Sequence, residues 1–404
     1  MISRRAVSLG IIALTLSIAY GIWYSYSVIL VALLHEFGWS RSVLAGAFST
    51  FTLVHGAVNP LVGALCDRVR PSRLVTVGGV ALSFALWADS MIAAPWQLYL
   101  SFGLLTAASV AAAGWIPALV QVQREFQDRL GLALGIVSSG VGVGMLLVVP
   151  LTQLLIDAYG WRTAFRVLAA VCAVWIVPTS LLLARSARGS PPPAPAAGRP
   201  GAGTRVTLGQ ALRGAPLWLM ISAFFFGNIC SQTLHVHQVA YLVDHGVAAI
   251  VAASVVGVVG FSSIVGKTGG GWISDRIERE KVYVAGIGIM LASVAVLASL
   301  GQAPASAAIY GYGVLLGLGY SVTASLIPAM VSDRFSGPHF GAIVGIGLLG
   351  SAVGSAVGPW MAGFLFDRTG SYAVAFSIAA ACGLAAGAAG WRARALRVRS
   401  MARA

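Results

Sequence analysis

The sequence predicts an all-α membrane protein: twelve transmembrane helices in two six-helix bundles related by a pseudo-two-fold repeat. Three observations carry that expectation. Of the 404 residues 58% are hydrophobic and 9% charged, where a soluble domain holds roughly a quarter charged residues, so the chain cannot cover a water-facing exterior. Its apolar residues gather into twelve stretches of about 20, the length that crosses a bilayer core. Finally, glycines and Asp-containing loops recur at an offset close to 210 residues.

The first stretch, at about 7–32, follows Arg4 and Arg5 and begins like a secretion signal. It runs on through Trp23, Ile29 and Leu33, past the length of a cleavable apolar region, and so is read as a retained span. Stretches at about 42–65, 74–93, 96–120, 130–152 and 163–184 complete the first six. The second six lie at about 215–241, 248–273, 282–301, 305–328, 340–363 and 372–391. Between the sets, residues 189–200 carry five prolines, which remove helix hydrogen bonds and leave little to bury. The expected division is a bundle over 1–184, a Pro/Gly/Arg linker over 185–214, and a second bundle over 215–404 ending in a basic tail.

A net charge of +14 would suggest nucleic acid in a soluble protein, but loops on the cytoplasmic side of a membrane collect Arg and Lys. With an even number of spans, 21 basic residues fall on the side of the termini, and four, Arg41, Arg162, Arg166 and Arg368, fall opposite. The split predicts a multi-pass protein of the bacterial inner membrane with both termini cytoplasmic and no nucleic-acid partner. One basic residue, Lys267, belongs to neither set. The four cysteines each sit alone within a span, which reads as apolar filling, and no metal or other cofactor is expected.

The repeat is parallel. Gly135, Gly140 and Gly144 in span five match Gly345, Gly350 and Gly354 in span eleven at an offset of 210. Asp157 and Gly160 recur as Asp367 and Gly370 at the same offset, and Asp67-Arg68 recurs as Asp275-Arg276 at 208. Two such halves build a substrate site at their interface in one large transporter class. The glycine-rich spans read as close-packing surfaces that slide.

The loop Gly63-Ala64-Leu65-Cys66-Asp67-Arg68-Val69-Arg70-Pro71-Ser72-Arg73 resembles the loop motif of the major facilitator superfamily. Phe37-Gly38-Trp39-Ser40-Arg41, the run from Phe126 through Asp128-Arg129 to Gly135, and Gly266-Lys267-Thr268 through Asp275-Arg276 resemble the monocarboxylate transporter and oxalate/formate antiporter branch. The resemblance implies that Lys267, where the branch usually has Arg, anchors a substrate carboxylate; Lys keeps the charge and loses the bidentate fork. It also implies that Asp67 and Arg68 form part of an interdomain latch. Asp128, Arg129, Asp275 and Arg276, at other helix ends, are further gating candidates.

Lys267 lies eight residues before Asp275, about 12 Å inside the membrane at 1.5 Å per residue. A lysine there must pair, reach water or bind an anion, or snorkel to Asp275 or a lipid phosphate. Tyr20 and Tyr24 lie on a polar edge of span one, while Trp23 and Tyr26 fit an interfacial aromatic belt. His55 in span two could donate to substrate, relay a proton, or simply bond a neighbouring helix. Asn228 and Gln232 in span seven can line the pathway; His235 and His237 read as outer gate or interface residues. Tyr320 in span ten is a substrate-contact candidate, and Trp115 in span four reads as packing.

One deep cation, against the two that the resemblance implies for a dicarboxylate exchanger, argues for a single carboxylate per substrate. The expected function is alternating-access transport of a small organic anion, a monocarboxylate, coupled to protons or run as anion exchange by a monomer in the lipid bilayer. The alternative is a carrier of neutral or cationic solutes in which Lys267 is structural. No nucleophile, base and orienting acid occur together, so no enzymatic role is expected.

Overall fold

The computed structural model describes residues 4–126, 130–186, 204–205, 208–302, 304–336 and 340–401. The first half contains α1 (Arg4–Phe37), α2 (Arg41–Arg68), α3 (Pro71–Asp89), α4 (Pro95–Glu125), α5 (Leu130–Tyr159) and α6 (Trp161–Arg185). The second contains α7 (Ala215–Asp244), α8 (Ala249–Ser274), α9 (Arg279–Ala298), α10 (Ser306–Arg334), α11 (Phe340–Thr369) and α12 (Ala373–Met401). On the described residues, all of these except α10 meet the length and hydropathy of a membrane span; α10 is a 29-residue helix, part of whose side chains lie outside the described residues. Residues 187–203 of the linker lie outside them too, while Thr204–Arg205 pairs in parallel with Phe335–Ser336 after α10.

Local chemistry sets the helix ends. Ser40 caps α2 by accepting the Val43 N–H at 3.3 Å, and Pro71, Pro95 and Pro216 stand in first turns where no N–H partner is lost. The chain reverses at Gly38, Gly160, Gly246 and Gly370, all with φ between 63° and 81°, a region closed to most side chains. These four are themselves two repeat pairs, 208 and 210 residues apart. The second and fourth spans of the first half are less regular than their apolar runs suggest. α2 carries Pro60 inside it, and α4 widens into π-type turns over Tyr99–Thr106 and breaks at Gly114. Such departures from the i→i−4 ladder bend helices.

Backbones approach closely where the repeated glycines lie. A Cβ on Gly140 or Gly144 would meet the carbonyl oxygens of Ala13 and Ser17 at 2.4 and 2.1 Å, so α5 lies directly on α1. Gly350 and Gly354 do the same for α11 on α7, against the carbonyls of Ile221 and Phe225. Between the halves, Gly142 of α5 and Gly260 of α8 face each other's carbonyl oxygen at 2.5 Å from a built Cβ, and the hydroxyl of Ser49 in α2 donates to the Ala356 carbonyl of α11 at 2.5 Å. Thus α5–α8 and α2–α11 form two seams related by the repeat.

The exterior remains apolar: Leu61, Val77, Val174 and Leu384 are each more than 60% exposed, a surface suited to acyl chains. Two aromatic residues expected at an interfacial belt are instead interior. Tyr26 is fully buried, donates its hydroxyl to the Leu44 carbonyl at 2.6 Å and stacks on Phe102; Trp23 packs edge-on against Phe51 and His55. Burial with a hydrogen-bond partner satisfies a phenol as well as headgroup water does.

A central cavity between the two halves

A cavity of about 570 Å³ lies between the halves. Its wall draws on α1, α2, α4 and α5 from one half and α7 to α11 from the other. Lys267, Tyr20, Tyr24, His55, Asn228, Gln232 and Tyr320, expected from the sequence at separate places in five helices, all border this one space. Trp115, expected to be packing, also stands on the wall. The break at Gly114 presents it there, and a glycine directly before a tryptophan is a signal that the sequence already carries.

Among the described residues, Lys267 is the only charged one on the wall. It is half-buried and makes no hydrogen bond or ion pair among the described residues. One turn earlier, the buried Ser263 turns its hydroxyl back onto the Gly260 carbonyl at 2.7 Å. Asn228 donates to the Phe224 carbonyl at 2.9 Å and accepts from Ser355 at 3.1 Å, which ties α7 to α11 at the wall. His55 meets the Asn59 amide through Nδ1 at 3.2 Å, while its Nε2, like Gln232 Oε1, is buried without a partner. Unpaired buried polar atoms are costly, and those of His55 and Gln232 on this wall can be satisfied by a polar group in the cavity.

On the side away from the termini the cavity is closed. The hydroxyls of Tyr24 and Tyr320 meet at 3.1 Å across the boundary between halves. The buried imidazole of His235 packs on both rings, with centroids 5.3 and 4.6 Å away. Beyond this layer, the Arg41 guanidinium donates to Asp244 at 2.8 Å and to the Tyr372 hydroxyl at 2.6 Å and lies over the Phe366 ring. The backbone N–H groups of Arg41 and Ser42, at the start of α2, donate to the Asp367 carboxylate at 2.9 and 2.8 Å, where a helix dipole favours a negative charge. His237 is buried in the same region between Tyr372 and the Pro359 carbonyl.

On the face that bears the termini, the polar contacts among the described residues stay within one half. Ser8 donates to Glu125 at 2.5 Å, Arg124 to the Cys66 carbonyl at 2.9 Å, and Arg279 to Asp333 at 2.6 Å. Glu278 is clasped by Arg394 and Lys281, which hold its carboxyl down at about 2. The cavity wall extends toward this face along Leu134 and Gly135 in the first turns of α5. Among the gating candidates, Asp67 and Arg68 are exposed. Arg276 lies over its own neighbour Trp272, and Asp275 stands 4.0 Å from Arg279. Asp128 and Arg129 lie outside the described residues. Among the described residues the ion pair between the halves comes instead from Arg41, one of the four basic residues that the charge count left on the other side.

The family model described as Major Facilitator Superfamily matches residues 12–298 and 238–402. Monocarboxylate transporter 13 of Bos taurus is 28% identical over 370 residues, covering 90% of this chain and 83% of that protein. Monocarboxylate transporter 11 of Mus musculus is 28% identical over 384 residues, covering 89% and 81%, and monocarboxylate transporter 4 of Rattus norvegicus is 26% identical over 388 residues, covering 93% and 80%. Among solved structures, a bacterial homolog of the human lysosomal transporter Spinster, inward-facing and unoccupied, superposes with a TM-score of 0.71 at 16% identity, over 97% of both chains. The same protein inward-facing and occupied gives 0.69 at 17% identity, again over 97% of each chain.

Proposed function

The chain belongs to the Major Facilitator Superfamily, and on that premise we propose that it carries a small monocarboxylate across the plasma membrane of a bacterium by alternating access. The observation that supports this most is the isolation of Lys267: one cation, on a wall whose other described residues are uncharged, in a cavity shared by both halves. A buried charge without a counter-ion is tolerated where it binds one, and a single ammonium balances a single carboxylate. A carrier of cations would call for an acidic residue on this wall, and among the described residues the lining has none.

In the proposed cycle the carboxylate enters from the side of the termini, taken as the cytoplasm from the excess of Arg there. Lys267 receives it, with Asn228, Gln232, His55 and the phenols of Tyr20, Tyr24 and Tyr320 offering neutral hydrogen bonds and apolar ring faces to the remainder. Closure on the cytoplasmic side and parting of the Tyr24–Tyr320 layer and the Arg41 clasp would then expose the site outward. In this role Asp67, Arg68, Asp128, Arg129, Asp275 and Arg276 act at the cytoplasmic closure, and the protein works as a monomer.

Uptake of labelled pyruvate, lactate and benzoate into proteoliposomes tests the proposal. Losing a hydrogen bond to a charged group costs about 1.5–3 kcal/mol, so Lys267→Ala is expected to lower uptake by about 10–100-fold, and Lys267→Arg to keep part of it. Undiminished uptake by Lys267→Ala removes the anchor.

A further inference from the structure

A second cavity, of about 880 Å³, shares no lining residue with the central one. It is a groove within the second half, between the last turns of α9 and the first turns of α12, and the end of α7 borders it. Asp244 and His245 at the end of α7, Gln302 after α9 and Ser371 before α12 stand at one end, level with the turns away from the termini, whereas Leu291, Ala380 and Leu384 lie deeper along α9 and α12. Ala373 and Leu384, both on its wall, are eleven residues apart, about 16 Å at 1.5 Å per residue, or half of the roughly 30 Å of a bilayer core. Leu384 is 65% exposed and Ala295 and Ala298 are exposed as well, so the apolar part of the groove opens to the acyl chains of one leaflet.

The repeat shows which charge the polar end lacks. Asp244 corresponds to Glu36 at an offset of 208, and Tyr372 and Phe376 correspond to Arg162 and Arg166 at 210. In the first half Arg162 pairs with Glu36 and lies over Trp161, so that half neutralises its own acid. In the second half a phenol stands in the place of that arginine, and Asp244 takes its cation from Arg41 across the boundary. Among the described residues the groove is lined by no Arg or Lys. His245 donates Nδ1–H to the Tyr241 carbonyl at 2.7 Å, which leaves Nε2 of the neutral ring as an acceptor beside the carboxylate. Ser371 Oγ accepts the Ala373 N–H at 3.2 Å, so its own hydroxyl hydrogen remains to be donated.

We infer that this groove binds a phospholipid with a primary ammonium headgroup, taken from the leaflet on the side away from the termini. The ammonium meets Asp244 and His245 Nε2, the phosphate meets the Ser371 hydroxyl and the Gln302 amide, and one acyl chain runs past Phe376 to Leu384. An anionic headgroup brings no cation to Asp244 and sets a phosphate beside its carboxylate, so it fits less well. Arg41 and the lipid ammonium compete for one carboxylate. When the halves part on this side Arg41 withdraws with α2, and the ammonium takes over the charge that it leaves behind; a ligand that binds the parted state better shifts the equilibrium toward it. The lipid site is independent of which anion the central cavity carries.

Native mass spectrometry of the full-length protein in detergent, titrated with dioleoyl phosphatidylethanolamine or dioleoyl phosphatidylglycerol, tests the assignment. The ethanolamine lipid is expected to bind about tenfold more tightly, the scale of one contact to a charged group. Arg41→Ala and Asp244→Asn break the same ion pair and are expected to act in opposite directions. Arg41→Ala frees the carboxylate and raises binding of the ethanolamine lipid by about threefold or more, while Asp244→Asn lowers it to the level of the glycerol lipid. Ala380→Trp, which fills the groove and leaves the ion pair in place, is expected to lower binding of both lipids. Equal binding of the two lipids by the wild type, a change in the same direction in Arg41→Ala and Asp244→Asn, or an ethanolamine preference that survives Ala380→Trp overturns the lipid site.

Discussion

Arg41, the first residue of α2, and Asp244, the last residue of α7, form an ion pair at 2.8 Å across the boundary between the two halves. The arginine side chain is 12% exposed and the aspartate 35%, and the guanidinium also reaches Tyr372 and covers Phe366. One side chain therefore holds one end of α2 to α7, α11 and the start of α12. An ion pair of this exposure contributes modestly alone, but shared with a phenol and a ring face it acts as a network.

Removing that side chain is expected to favour opening away from the termini. Arg41→Ala should raise labelling of a cysteine introduced at Ser138, on the cavity wall, by an impermeant maleimide added from that side. A loss of about 1–1.5 kcal/mol corresponds to a change of about tenfold in the rate. Equal labelling in both backgrounds would show that the clasp does not hold the closure.

The Tyr24–Tyr320 hydroxyl pair predicts non-additivity. Tyr24→Phe and Tyr320→Phe each leave the other buried hydroxyl unpaired and should each cost about 1 kcal/mol, while the double variant should cost little more than either alone. Unfolding midpoints of the four proteins in one detergent measure the coupling. Strict additivity would mean that the two hydroxyls do not interact.

Two glycines of α5 should respond oppositely to a methyl group. A Cβ on Gly142 would lie 2.5 Å from the Gly260 carbonyl oxygen, whereas one on Gly135 meets nothing within 4 Å. Gly142→Ala is expected to spread the α5–α8 seam and destabilise by about 1–3 kcal/mol, and Gly135→Ala to be neutral or to stabilise by up to about 1 kcal/mol through helix propensity. Thermal stability of the two variants checks the contrast, and comparable losses in both would contradict it.

Glu278, clasped by Arg394 first and by Lys281 second, titrates at about 2 in the folded protein against about 4.3 in an unfolded chain. A carboxyl lowered on folding binds more protons when unfolded, so its contribution is full above the unfolded value and disappears as pH falls from about 4.3 toward 2. The difference in melting temperature between wild type and Glu278→Gln should accordingly be constant from pH 5 to 7 and shrink below about 4.5. A difference that grows on acidification would contradict the clasp.

Much of the fold was legible because spanning a bilayer imposes length and composition locally. The stretch read at about 42–65 becomes Arg41–Arg68, and that at about 372–391 becomes Ala373–Met401; in both the helix continues past its apolar run into charged ends, which apolarity alone cannot delimit. Rotation about each helix axis was less accessible. In a soluble helix the polar face points to water, but lipid and helix neighbours are equally apolar, so Trp23 and Tyr26 looked like interfacial residues although both face the interior. Trp115 packs against Leu16, Val122 and their neighbours as expected and also borders the cavity, next to the break at Gly114, a backbone feature rather than a composition.

By itself the sequence determined the number of spans, the side on which the charges gather, and the isolation of one lysine, since each follows from the free energy of placing residue types in hydrocarbon, and it carried the duplication in glycines and Asp-containing loops that recur at a fixed offset. Only the tertiary structure decided that seven polar residues from five helices border one cavity, that Tyr24 and Tyr320 close it on one side, and that Arg41 joins the halves. The reason is physical: insertion energy is a sum over single residues along the chain, whereas a site is made of contacts between positions up to 296 residues apart, and those depend on how helices rotate and pack against one another.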